Sequence, residues 1–463
     1  MAYMVNFKGA LLAAIAILST LSYALNTTLQ APVLVNLDTM GSGPSETVVG
    51  GLYRPNKIGP RAGTEIAVFV MHSESDYISF SVCTQLAERG YTVFCADDGC
   101  SKWTGASDVA FEQMMLSVAT GVDYLRNLTE IKKIVLWGHS GGGAMMSAYQ
   151  NIAENGLVAC NGSEKIYPCT SALEDLPAAD GVMLIDANYG LSTMVLFSLG
   201  AEIIDERSGL HVDYNLSVYN PANGFNSSGA SQYTPEFTKV FQTAVGRRMQ
   251  RLIAYAEGRL AAINAGNATF SDDEDMQIVD AAYGVQNNKF FAQDPKFLSR
   301  TVYPWPLLHK NGSTTREIVH SVRVPTNFGP SEAGSYLNGA IKTSVKRFLN
   351  GYAIRVTDDF SYNETSFTGI VWESSHMVPI QAARGIKVPL LTMGMTGHWE
   401  YLNAEKIYLN SGSNDTSICF VEGAQHTIDT CTACETYPGE YGDTTKTAYD
   451  YMANWLGKKG RFL

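Results

Sequence analysis

The sequence is short of positive charge. Its 463 residues hold 33 Lys and Arg against 45 Asp and Glu, for a formal net charge of −12. That balance argues against nucleic acid or an anionic membrane surface as the main partner. Several chemical signatures are also missing. There is no G-x-x-x-x-G-K loop for phosphates, no dinucleotide fingerprint and no H-E-x-x-H zinc pair. No metal and no organic cofactor is therefore expected. Internal repeats and low-complexity tracts are absent. Charged residues are only 17% of the chain and hydrophobic ones 45%, an ordinary globular mix in which long disordered stretches are not expected. The length exceeds one average domain but suits an α/β enzyme with insertions around a single core.

Charge is scarcest at the N-terminus. Lys8 is the only charged residue before a run, 9–24, that has none, and 11–21 is strongly apolar. Ser22 and Ala24 put small side chains where a signal peptidase reads, so 1–24 is expected to be a secretory signal cleaved after Ala24. The run is short for a membrane span of about 20 residues, and a signal anchor is the alternative. No stable membrane insertion is expected once the signal is cleaved.

Nine N-x-[S/T] sites agree with secretion: Asn26, Asn127, Asn161, Asn215, Asn226, Asn267, Asn311, Asn363 and Asn414. Eight cysteines, an even number, suggest disulfides in that compartment. Cys160 and Cys169 close a short loop and are the first pair expected. Cys431-Thr-Ala-Cys434 has metal or redox spacing, but no second C-x-x-C completes a zinc site. A structural disulfide fits it better.

From 65 onward the hydrophobic pattern becomes regular. Short apolar runs at 66–71, 91–95, 134–137 and 182–185 read as strands buried on both faces of a parallel sheet. Helical patterns at 78–89, 109–125 and 141–153 lie between them, with Ser107 as a candidate N-cap for the second. The rhythm stops near 188 and returns at 388–393, 400–409, 418–421 and 444–456. Right-handed β–α crossovers over a mostly parallel sheet follow from this alternation. The expected division is a core of 25–187 and 388–463 interrupted by an inserted, mainly helical cap at 188–387. A long helix is expected at 235–265. Its Arg247, Arg248, Arg251 and Arg259 suit a solvated face or a carboxylate site. The apolar stretches 191–199 and 303–308 suit cap packing or a substrate pocket.

The strongest motif is Gly138-His139-Ser140-Gly141-Gly142. It follows an apolar strand directly and opens a helix. A turn this tight needs small residues two before and two after the serine. It lifts the Ser140 hydroxyl above the sheet and turns the Gly141 N–H toward an oxyanion. The bland reading is a Gly-rich turn with an incidental serine. A serine hydroxyl needs a base, and His426, just past the 418–421 strand and downstream of Ser140, is the candidate. His320, His376 and His398 compete with it.

With the elbow and the Gly423-Ala424-Gln425-His426 loop, the chain resembles the α/β-hydrolase superfamily, and more narrowly secreted fungal-type serine hydrolases with a large helical cap. The resemblance covers about 65–190 and 385–458. It implies a third residue, an acid that orients His426. The usual place for it, after the 388–393 strand, has no Asp. Glu400 is slightly late, Asp186 ends the strand after the elbow, and Glu405 is a third candidate. The second oxyanion donor is expected from the backbone of Ser73 or Glu74, while His72 is as well suited to anchoring that loop. The implied activity is hydrolysis of an ester or related acyl bond in a small-molecule substrate, through an acyl-enzyme and without a cofactor. A lipase, lactonase or peptidase variant, or a secreted non-catalytic binding protein on the same scaffold, is the alternative.

Overall fold

The computed structural model describes residues 29–39, 47–55, 65–98, 110–206, 211–281, 289–326 and 340–463. The expected signal 1–24, Asn26, Cys100 and Ser107 lie outside the described residues.

β1 (Val33–Asp38) and β2 (Thr47–Tyr53) pair antiparallel at one edge. The alternation follows: β3 (Ile66–Val70), α1 (Ser81–Glu88), β4 (Thr92–Asp97), α2 (Phe111–Arg126), β5 (Lys133–His139), α3 (Gly141–Asn155) and β6 (Gly181–Ile185). Next come α4 (Leu191–Ser198), α5 (Pro235–Asn264), β7 (Asp275–Ile278), β8 (Arg300–Leu308), β9 (Thr314–His320), β10 (Ile341–Ser344), β11 (Val356–Tyr362) and β12 (Phe367–Ile370). The chain then returns through β13 (Leu390–Met395), α6 (Asn403–Asn410), β14 (Thr416–Val421) and α7 (Thr444–Leu456).

One sheet of ten strands runs in the order β1-β2-β4-β3-β5-β6-β13-β14-β8-β9. From β4 to β8 every neighbouring pair is parallel. Alternate residues of each strand serve opposite layers, because strand side chains have a period of two. On β3, Ala67 and Phe69 join the core shared with Val118 and Val122 of α2 and Met145 and Tyr149 of α3. Val68 and Val70 join Val82 and Leu86 of α1 and Met452 and Leu456 of α7. Both faces are covered, which explains why these strands are continuous apolar runs.

Among the described residues, the stretch 188–387 holds six strands beside its helices, and two of them join the main sheet. Residues 303–308, expected in the cap, belong to β8. That strand pairs with β14 through Leu307 and Leu308, and β9 returns antiparallel beside it. Pro304 and Pro306 disguised the strand, since prolines are confined to sparsely bonded strand positions near a sheet edge. The other two strand pairs, β7 with β10 and β11 with β12, stand apart from the main sheet.

The longest element is α5. The Thr234 hydroxyl caps it by accepting from Phe237 N at 3.1 Å, and Pro235 takes the first turn, where a missing N–H costs nothing. Phe237, Phe241, Val245, Met249, Leu252 and Ala256 bury one stripe at helical spacing. Arg248 does not lie on a solvated face. It is fully buried, donating to Gly200 O at 2.9 Å and Val279 O at 2.6 Å and pairing with Glu206 at 3.0 Å. A guanidinium with five donors can be buried when carbonyls and a carboxylate meet it, and here they tie α5 to the 200–206 and 279–280 loops.

Three disulfides join Cys83–Cys95, Cys160–Cys169 and Cys431–Cys434; Cys419 is a buried free thiol. Among the described residues no helix is long and apolar enough to cross a membrane. The Cys83–Cys95 bridge staples α1 to β4. Replacing both cysteines by serine is expected to cost about 2–4 kcal/mol of unfolding free energy, by the restriction such a loop places on the unfolded chain. Denaturant titration beside the wild type checks it, and an unchanged midpoint would show that packing alone holds α1.

Candidate active site

β5 ends at His139 and α3 starts at Gly141, so Ser140 alone makes the turn. Its backbone has φ 52° and ψ −126°, a strained conformation for a residue with a side chain. The turn closes only because its flanks are bare. A Cβ on Gly138 would stand 2.3 Å from Gly142 O, and one on Gly142 would stand 2.6 Å from Met71 O. Backbone bonds lock the serine to the neighbouring strand end: Ser140 N donates to Ile185 O at 3.3 Å and Asn188 N to Ser140 O at 3.1 Å.

That neighbouring strand end carries Asp186, itself at φ 40°. The Asp186 side chain is buried. Its Oδ1 accepts from Met395 N at 2.9 Å. Its Oδ2 faces two imidazoles, His426 Nδ1 at 2.7 Å and His398 Nδ1 at 3.2 Å. Asn403 Nδ2 holds the loop beyond it, donating to Ala187 O and Asn188 O at 3.0 and 2.8 Å. Burial alone would push the Asp186 carboxyl up; the hydrogen bonds and charges of His398 and His426 overcome this and hold it below the ordinary carboxylate value.

Glu400 enters the same space by a different route. It opens a short 3-10 turn after β13 and is buried. Its Oε2 lies 3.6 Å from His426 Nε2 and has no hydrogen-bond partner. Burial first, then the nearby charges of Asp186 and Glu74, push its carboxyl well above the usual range; a hydrogen bond with Ser140 opposes this only in part. Glu405 is elsewhere. It is buried and accepts from Val302 N and Tyr303 N, both at 2.9 Å, and from Trp305 Nε1 at 2.8 Å, so it fastens β8.

His426 itself is anchored from below. His139 Nε2 donates to His426 O at 2.6 Å, and Tyr77 OH donates to His139 Nδ1 at 2.6 Å. A carbonyl accepts only, so Nε2 carries the His139 proton and Nδ1 must accept. Burial, then the neighbouring His426, lowers His139 to about 3, which keeps it in that neutral state. Sequence reasoning passed over His139 and Tyr77 and weighed His398 only as a rival base. Nothing but adjacency to the serine marked His139.

The loop 72–74 lies against the first turn of α3. A Cβ on Gly141 would stand 2.5 Å from Ser73 Oγ and 3.3 Å from Glu74 Oε2. Gly141, first in its helix, has an N–H with no intrahelical acceptor. The Ser73 side chain is buried and its Oγ has no hydrogen-bond partner. The expectation for Glu74 needs correction: its N–H donates to His72 Nδ1 at 3.0 Å, as does Ser75 N at 2.9 Å, and so is not available to an oxyanion. His72 therefore acts as the loop's anchor. His376 is remote, bonded to Tyr167 O and stacked on Phe111, and His320 ends the edge strand β9.

A parallel sheet in this strand order, a strained serine between β5 and α3, and a histidine after the strand β14 decide the architecture. The chain has the α/β-hydrolase fold. No family model and no curated protein matches the sequence. Solved structures similar to it include the α/β-hydrolase GrgF from Penicillium (11% identity, TM-score 0.40, 94% of this chain and 99% of that one). Carboxyl esterase 2 from the mycorrhizal fungus Tuber melanosporum is similar at 10% identity and TM-score 0.40, covering 95% and 89%. Est1E from Butyrivibrio proteoclasticus stands at 10% and 0.35, covering 92% and 98%. The α/β-hydrolase assignment rests on the strand order and the elbow rather than on these likenesses.

Burial and the adjacent His398 lower the His426 pKa from the ordinary 6.5, and the Asp186 carboxylate raises it only in part. His426 is thus expected to titrate with a midpoint below the ordinary 6.5. Asp186→Asn removes the raising partner and should move the titration lower still. NMR titration of the imidazole checks both shifts; a wild-type midpoint at or above 6.5 would contradict this electrostatic account.

Proposed function

We propose that this chain is a secreted serine hydrolase that cleaves an ester or related acyl bond through Ser140, His426 and Asp186. The observation that carries the reading is the 2.7 Å contact between His426 Nδ1 and the buried Asp186 carboxylate. With Nδ1–H directed at Asp186, the Nε2 lone pair is left to receive a proton. Ser140 Oγ attacks the acyl carbon while its proton passes to Nε2. The carbonyl π electrons move to the oxygen, where the Gly141 N–H and the Ser73 N–H are the donors. Nε2 then returns the proton to the leaving alcohol as the C–O bond breaks. Water repeats both steps on the acyl-enzyme, releasing the acid and restoring Ser140.

Asp186 is preferred to Glu400 as the orienting acid because it meets His426 Nδ1 at 2.7 Å, whereas Glu400 lies 3.6 Å from Nε2, the nitrogen that must receive the proton. The binding-protein alternative required an acid out of reach of His426, and the Asp186 contact weighs against it. A buried aromatic group adjoins the site: Trp399 beside His398, Tyr189 stacked on Trp399, and Phe197 and Phe367 packed against Tyr189. Secretion is supported by the apolar N-terminal run, by three disulfides, and by the exposure of all eight described N-x-[S/T] asparagines.

The test is hydrolysis of p-nitrophenyl esters of increasing chain length. Ser140→Ala should abolish turnover, and Asp186→Asn should lower kcat about 10⁴-fold, the size of loss seen when a triad acid is neutralised. Glu400→Gln should lose far less. Equal rates in the wild type and Ser140→Ala remove Ser140 as nucleophile; a larger loss in Glu400→Gln than in Asp186→Asn makes Glu400 the acid.

A further inference from the structure

Four side chains converge: Asp186, His398, Glu400 and His426 each offer a donor atom, and these atoms lie within 4.8 Å of one another. Two imidazoles and two carboxylates are a zinc-type donor set. Two features go beyond simple clustering. Glu400 Oε2 is buried, 3.6 Å from His426 Nε2, and without a hydrogen-bond partner. Asp186 and Glu400 are closed off from solvent, whereas the His398 and His426 side chains are 21% and 27% exposed. The pocket is therefore anionic at its floor and open at its imidazole rim, so an ion has a way in.

We propose that Asp186, His398, Glu400 and His426 form a site for a divalent transition cation of the zinc class, and that the bound ion switches the hydrolase off. The regulatory half of this rests on the Ser140 reading above; the binding half does not. Zinc–ligand bonds of about 2 Å imply tetrahedral donor–donor edges of roughly 3.3 Å. The Asp186–His398 separation of 3.2 Å already matches. The Asp186–His426 contact of 2.7 Å must open slightly as the ion replaces the proton between them. If the ion takes His426 Nδ1, the neutral ring keeps its proton on Nε2 and has no lone pair for Ser140. If it takes Nε2, that lone pair is occupied. Both modes remove the base. His398 has no assigned step in hydrolysis, and a place in this site gives its position a purpose.

The experiment uses the full secreted chain, without a histidine tag, stripped with EDTA and dialysed. Zn²⁺ binding is measured by calorimetry, Co²⁺ binding by its visible absorption, and p-nitrophenyl ester hydrolysis is followed as Zn²⁺ is added. One equivalent of Zn²⁺ should bind and lower kcat at least tenfold, with full recovery on adding EDTA. Mg²⁺, which prefers an all-oxygen shell, should do neither. His398→Gln, checked for folding by thermal melting, should weaken Zn²⁺ binding by about tenfold or more, as loss of a supporting group at a metal commonly does. Glu400→Gln is the second variant and should weaken it likewise. Absence of stoichiometric binding, or equal affinity in the wild type and both variants, overturns the site. Hydrolysis through Ser140 that Zn²⁺ leaves untouched overturns the inhibition and keeps the hydrolase. Binding lost in His398→Gln from a protein that hydrolyses no ester keeps the site and rejects the hydrolase.

Discussion

One buried negative charge organises this molecule's chemistry. Taking a carboxylate out of water costs on the order of several kcal/mol unless its oxygens are met. Asp186 is buried, and both of its oxygens are met: Oδ1 by the Met395 N–H, Oδ2 by two imidazoles. Those partners come from the ends of β13 and the loops after β13 and β14. A single side chain at the end of β6 therefore joins three adjacent strand ends. Its backbone also joins in, since Asp186 N donates to Met393 O at 2.7 Å. Removing the carboxylate would take away the acceptor of the Met395 N–H and the shared partner of both rings.

Burial raises the Glu400 carboxyl first, and the Asp186 charge adds to it. Carboxyls this close do not both ionise cheaply in a buried space, so the one with the better donors keeps the charge. Asp186 has two imidazoles and a backbone amide. Glu400 has a hydrogen bond with Ser140 and a separation of 3.6 Å from His426. The hydrogen bonds and charges of the two imidazoles hold Asp186 toward its charged form, while burial and the Asp186 charge push the Glu400 carboxyl up.

The elbow and the sheet were legible in the sequence for a physical reason. A doubly covered parallel strand must be apolar throughout, and a turn with Ser140 at positive φ admits only small residues at Gly138 and Gly142. Both constraints write themselves into local composition. The acid was not legible. Glu400, Asp186 and Glu405 are all carboxylates near strand ends, and which of them reaches His426 depends on the approach of loops 240 residues apart in sequence. Glu405 looked like an ordinary helix carboxylate because the amides it accepts from are on β8, which prolines hid. The metal-type cluster was invisible for the same reason: its donors at 186, 398, 400 and 426 form no spaced motif.

His139 shows why a place beside Ser140 matters more than its variable position in the motif suggests. Its ring donates to the carbonyl of His426, while Tyr77 fixes its tautomer. The strand that leads into Ser140 therefore also holds the backbone of His426. The loop that carries His426 cannot leave the elbow without breaking this chain of hydrogen bonds, and such chains are strong when no water competes. Preorganisation of this kind fixes where the imidazole stands; Asp186 fixes which way it faces. The same two constraints gather lone pairs and a carboxylate into a space of a few ångströms. Under the proposals above, the atoms that would pass a proton are those that would hold a small cation, and the two uses exclude each other.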